Sequence, residues 1–175
     1  MRVLTVRQPW AWAIVHGGKD IENRTRNLAG TYRGPVAIHA GRELDHGYDQ
    51  HLIGGAVGRL ARSTRAGLEH VAQFGGDVRT PGNEITERFG NRGAVIGVVD
   101  LVDVHWSGME CARGAASCHE YDLCSDWAQA YHHHLVLANP RPLPRPIPAR
   151  GRLGLWRPDD DLTTAITAQL EEAAA

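Results

Sequence analysis

The chain is nearly without lysine. One lysine, Lys19, stands in 175 residues, against eighteen arginines. Phenylalanine and methionine are nearly as scarce, at two each. Cysteine is limited to Cys111, Cys118 and Cys124. An odd number without a secretory signal argues against a disulfide framework. No apolar run approaches the ~18 residues of a membrane span, so no membrane partner is expected. The opening "MRVLTVRQPW" lacks the apolar stretch and small-residue cleavage site of a signal peptide, and a cytoplasmic location is expected. Net charge is −1, which excludes a global field that would pull the chain onto nucleic acid.

The charge is unevenly placed. Four arginines and no acid lie between Arg24 and Arg42, and five arginines and no acid between Arg141 and Arg157. If folding joins these segments, one face is basic despite the neutral total; if not, both are merely solvated. Abundant Arg, Ala and Gly suggest a coding bias against lysine. Lys19 is then either a chance survivor or a place where arginine will not serve.

The length suits one domain, 1–175, with a proper core. "RVLTV" reads as a first strand, and Pro9 opens a short helix over 9–16 that Gly17 and Gly18 can end. Residues 20–25 are extended, with Glu22 and Arg24 on one face. A turn at Arg33–Gly34 leads into a strand over 36–40. A helical insertion is expected over about 42–92, and a Cys-containing loop over about 107–126. "AVIGVVDLVDVHW" (94–106) is β-branched and almost continuously apolar, so it is the central strand. Residues 131–140 form another strand. The five prolines of 140–148 predict an extended strap over the surface. A strand at 152–156 and a helix over about 161–174 close the chain. There are no internal repeats. The order of elements predicts an α+β fold, a partly closed mixed β-barrel with helices around it.

Three stretches together carry a family resemblance: "QPWA" with the GxKxxExR run of Gly17, Lys19, Glu22 and Arg24; "YRGPVAIHA" at 32–40; and "VIGVVDLVDV" at 95–104. "YHHHLVL" at 131–137 and "RGRLGLWRP" at 150–158 also fit. The chain resembles the ASCH domain (ASC-1 homology) family, whose fold is a β-barrel related to the PUA RNA-binding domain. The resemblance implies a cleft that binds RNA, DNA or a modified nucleoside. Some small members are amidohydrolases that remove acetyl from N4-acetylcytidine. They are similar in the lysine at position 19, but use a threonine three residues later, where this chain has Glu22, and a distant glutamate without a match here. Ribonuclease activity is also attributed to the family.

Lys19 and Glu22 are the candidate catalytic pair. An amine in a cleft can act as base or nucleophile with a carboxylate beside it. It can equally anchor a phosphate or base edge, or form a structural ion pair. Candidate nucleic-acid or nucleoside contacts are Gln8, Trp10, Arg24, Arg33 and His39. Arg24 offers a planar fork for phosphate or a bridge to Glu22. Arg33 lies in a turn. Trp10 can stack on a base or pack in the core. Gln8 can read a base edge or cap the helix, and His39 is a strand histidine. Cys111, Cys118, His119 and Cys124 include metal-ligand types but no CxxC spacing. His132 and His134 would share a strand face. No cofactor and no metal is expected. The expected function is nucleic-acid, above all RNA, or modified-nucleoside binding. The alternative is an amidohydrolase of an acylated base such as N4-acetylcytidine, or a ribonuclease.

Overall fold

The computed structural model describes residues 1–44, 91–107 and 123–174. In chain order the elements are β1 (Arg2–Gln8), α1 (Trp10–His16), β2 (Ile21–Arg24), β3 (Gly34–Leu44), β4 (Ala94–Ser107), β5 (His132–Pro148), β6 (Leu155–Trp156) and α2 (Asp160–Ala174). The strands form one curled mixed sheet in the order β2-β5-β4-β3-β1-β6, a half-barrel of the expected α+β kind. β1 runs parallel to β3, and every other pairing is antiparallel.

Alternation along the strands makes two cores. Leu4 and Val6 of β1 and Val36, Ile38 and Ala40 of β3 face the α1 side. Val3 and Ala37 face the other side, with Val95, Val98 and Leu143. There α2 lays down the stripe Leu162, Ile166 and Leu170, one residue every four. Ile166 is fully buried, a burial worth ~1.5–3 kcal/mol. Asp159 starts this helix by accepting the Leu162 N–H at 2.9 Å.

The first helix determines where Lys19 sits. Ala11, Ala13, Ile14 and Val15 are its buried residues. Its last turn closes through Gly17 N–H to Ala13 O at 2.9 Å, and the Lys19 N–H reaches the same carbonyl at 3.0 Å. Gly18 between them has φ +68, the left-handed conformation expected of a helix-ending glycine. The chain then turns straight into β2. The helix can lie close on the sheet because β4 has a glycine beneath it. A Cβ on Gly97 would stand 2.6 Å from Val15 Cγ1 and 3.1 Å from the Arg141 carbonyl oxygen.

Two expectations are corrected. The proline-rich segment is not a strap but the second half of β5, bridged to β4 at Arg141, Pro142, Ile147 and Pro148. Prolines occupy only alternate positions from Pro140 to Pro148, so residues between them keep their N–H groups. One of these, the Arg145 N–H, goes to Gln169 Oε1 of α2 at 2.9 Å. β2 pairs with β5 only over 133–136, which leaves the far edge of the proline half without a strand among the described residues. The strand expected over 36–40 is longer, continuing to Leu44, so residues 42–44 do not belong to a helix. At its other end residues 91 and 92 are not helical; residues 45–90 of the expected helical insertion, and Cys111, Cys118 and His119, lie outside the described residues.

Candidate nucleic-acid interface

Period two in β2 puts Glu22 and Arg24 on one face, and the end of α1 delivers Lys19 to the same place. Lys19 Nζ stands 3.2 Å from Glu22 Oε2 and Arg24 Nη2 3.0 Å from Glu22 Oε1. The Lys19 ammonium also donates to the Ile21 carbonyl and lies 5.8 Å from the Trp127 ring centroid. Arg24 Nη2 donates to the Thr5 carbonyl of β1 at 3.2 Å, so the guanidinium spans from β2 to β1. Lys19 and Glu22 are buried, whereas Arg24 is partly open to solvent. Arg24 Nε is buried with no hydrogen-bond partner among the described residues.

The opposite wall is the loop 123–130. β2 holds it with the side chains of its other face. Asn23 Nδ2 donates to the Trp127 carbonyl at 2.8 Å, and the Gln129 N–H donates to Asn23 Oδ1 at 3.0 Å. Ser125 Oγ donates to Asp20 and accepts the Trp127 N–H at 3.1 Å. These bonds set the Trp127 indole over Lys19. Between the walls is a cleft of about 960 Å³. Its lining includes Leu4, Val6, Trp10 and Leu28, the acids Glu22 and Asp126, the cations Arg7, Lys19, Arg24 and Arg152, and Trp127.

Of the expected site residues, Lys19, Glu22, Arg24 and Trp10 meet at this cleft. Gln8, Arg33 and His39 do not line it. Gln8 is fully buried and takes the capping alternative, accepting the Trp12 N–H at 3.0 Å and donating to Asn91 O at 3.3 Å. Arg33 is exposed on another part of the surface, where it bonds the Tyr32 carbonyl at 2.8 Å and pairs with Asp103 at 3.5 Å. His39 points to the α2 side of β3, edge-on to Trp156 and bonded through Nε2 to Ala149 O at 3.0 Å. Trp127, Asn23 and Arg7 were not foreseen, and Arg152 was expected only as one of the arginines of 141–157, each either a contact to an RNA backbone or inert surface. Asn23 had a signal, since it alternates with Glu22 and Arg24, but the loop it grips is 104 residues away. Of the arginines in the two basic segments, Arg24 and Arg152 line the cleft. Arg141 pairs with Asp100 and Arg145 with Glu172, both away from the cleft.

The His39 environment gives a pH dependence. Burial lowers its pKa below the ordinary 6.5, and Arg42 adds to this, against the hydrogen bond to Ala149. Its Nδ1 is buried without a hydrogen-bond partner among the described residues, so a proton there would be uncompensated. The folded state therefore binds this proton less readily than the unfolded chain. Stability from this group is complete above pH 6.5 and falls as pH drops toward the lower folded value. Urea unfolding at pH 7.5 and 5.5 should show the loss, and His39→Gln should reduce it, leaving the part due to His16 and His134, which burial shifts the same way.

The ASCH domain family model matches residues 4–146, and the chain belongs to that family. Among solved structures the chain is similar to ASCH from Zymomonas mobilis, at 14% identity over 95% of this chain and 93% of that one, with a TM-score of 0.46. It is similar to a point mutant of that protein at 14% identity over 95% and 96% of the two chains, with a TM-score of 0.48. Comparison with curated proteins found no match.

Proposed function

We propose that the cleft binds nucleic acid, RNA above all, or a modified nucleoside released from it. The observation behind this reading is the joining of four cationic side chains and two tryptophans in one cleft. Its volume of about 960 Å³ suits one or two nucleotides. Unstacked bases are read by aromatic stacking and edge contacts, while phosphates seek the cations. Arg7 and Arg152 are exposed at the rim and suit the phosphate backbone. Leu153, 99% exposed beside Arg152, offers an apolar contact for a base. Domains of this family are generally associated with nucleic acid.

The salt dependence of binding tests this. For a single strand, log K falls with log salt by ~0.7 for each neutralised phosphate. Arg152→Ala should lower that slope by ~0.7 for a short single-stranded RNA and weaken all sequences alike. An unchanged slope and affinity would remove Arg152 from the interface.

The second reading is an amidohydrolase of an acylated base, favoured by the 3.2 Å contact between Lys19 Nζ and Glu22 Oε2. Lys19→Arg separates the two. A cationic anchor keeps part of its affinity with arginine. A lysine that must give up its proton has no substitute in a guanidinium, whose pKa exceeds ~12, and turnover of N4-acetylcytidine would be abolished. Wild-type protein without turnover leaves binding as the activity.

A further inference from the structure

Beside the cleft, two neighbouring strands and the loop 123–130 converge on a second cluster that the binding reading does not use. His105 of β4 and His134 of β5 are directly opposed in the ladder. Their rings lie edge to face, with centroids 5.3 Å apart. Cys124, in the loop, brings its Sγ to 3.0 Å from His134 Nδ1. One donor atom from each of the three side chains lies within 4.8 Å of the other two.

We propose that His105, Cys124 and His134 form a binding site for a zinc ion. Both imidazoles are already turned as ligands. The His105 Nδ1–H donates to Asp103 Oδ2 at 2.9 Å, which leaves Nε2 with its lone pair. That Nε2 is buried and has no hydrogen-bond partner among the described residues. The His134 Nε2–H donates to the Gln129 carbonyl at 2.8 Å, which leaves the Nδ1 lone pair toward Cys124. A carboxylate on one ring and a carbonyl on the other are the outer partners that orient histidines on metals.

The donor set selects the ion. One thiolate and two imidazoles are borderline-soft and suit zinc rather than magnesium or calcium, which take oxygen ligands. In a tetrahedral zinc site, sulfur and nitrogen donors stand about 3.3–3.6 Å apart. The three donors need shift by only about 1 Å to reach this. Binding releases the Cys124 thiol proton to solvent and leaves a fourth position for water. The ion would fasten the loop that carries Trp127 to the two longest strands. Zinc therefore acts on the cleft by holding its wall, without touching a ligand there.

The test uses the full chain, stripped of metal, reduced, and titrated with cobalt(II) in place of zinc. One equivalent should produce the thiolate-to-cobalt charge-transfer band and the visible bands of a tetrahedral ion, and zinc should displace it. Cys111→Ser/Cys118→Ser should keep the band, and Cys124→Ser should lose it. Asp103 is half exposed, so Asp103→Asn leaves the fold intact and should weaken zinc by ~10-fold or more through the His105 ring. Zinc should also raise the melting temperature of the wild type and not of Cys124→Ser. The proposal is overturned by absence of a one-equivalent band, by a band that survives Cys124→Ser, or by unchanged zinc affinity in Asp103→Asn.

Discussion

Glu22→Ala should lower the unfolding free energy by ~3–5 kcal/mol, the cost of leaving a buried charge without its partner. Glu22 is the only carboxylate within ion-pair distance of both Lys19 and Arg24 among the described residues. Its removal leaves the Lys19 ammonium, itself 6% exposed, with one carbonyl and the Trp127 face. Arg24 is partly solvated and suffers less. The charge, not the volume, is the origin of the effect. The double variant Lys19→Met/Glu22→Leu removes both members of the buried pair and should be closer to wild type than Glu22→Ala alone. Urea midpoints at unchanged m-value measure both. A loss below ~1 kcal/mol for Glu22→Ala would place the pair in water rather than in the floor of a cleft.

Gly97→Ala should cost ~1–3 kcal/mol, a large penalty for one methyl group in a strand. The new carbon would overlap the Val15 methyls and approach the Arg141 carbonyl, and backbone gives way less easily than a side chain. The helix must lift, and with it the Ala13 carbonyl that holds the Lys19 N–H. The overlap with Val15 can be tested by a double-mutant cycle. Val15→Ala is destabilising by itself, but in the Gly97→Ala background it should cost much less or restore stability. Strict additivity would mean that the helix does not rest on Gly97. The same variant should weaken RNA binding beyond its effect on stability, because it displaces Lys19.

Much of this arrangement is legible without coordinates. The strand 94–106, the helix stopped by Gly17 and Gly18, and the shared face of Glu22 and Arg24 follow from periodicity and capping alone, since each is a local pattern; that Lys19 joins them was implied by the family resemblance. The proline segment was misleading because density of proline speaks against a strand while alternation of proline permits an edge. Gln8 offered a cap or a base contact, and only the position of Trp12 decides between them. Trp127 and the trio of His105, Cys124 and His134 were beyond reach for another reason. They are built by β4–β5 register and by loop contacts over long sequence distances, which no local spacing encodes. His132 and His134 were paired by alternation, yet the cross-strand neighbour of His134 is His105, and His132 turns to the Ala130 carbonyl at 2.9 Å.

The sole lysine allows one direct measurement of the cleft as a binding site. Lysine labelled with carbon-13 gives a single side-chain ε signal, from Lys19. The protein is titrated with a short single-stranded RNA and with cytidine derivatives while backbone amides report binding anywhere on the surface. The expected result is a saturable shift of the Lys19 ε signal that follows the same isotherm as the amides of 20–24 and 123–130. RNA that binds, as the amides show, and leaves the Lys19 signal unmoved would contradict the cleft as the interface.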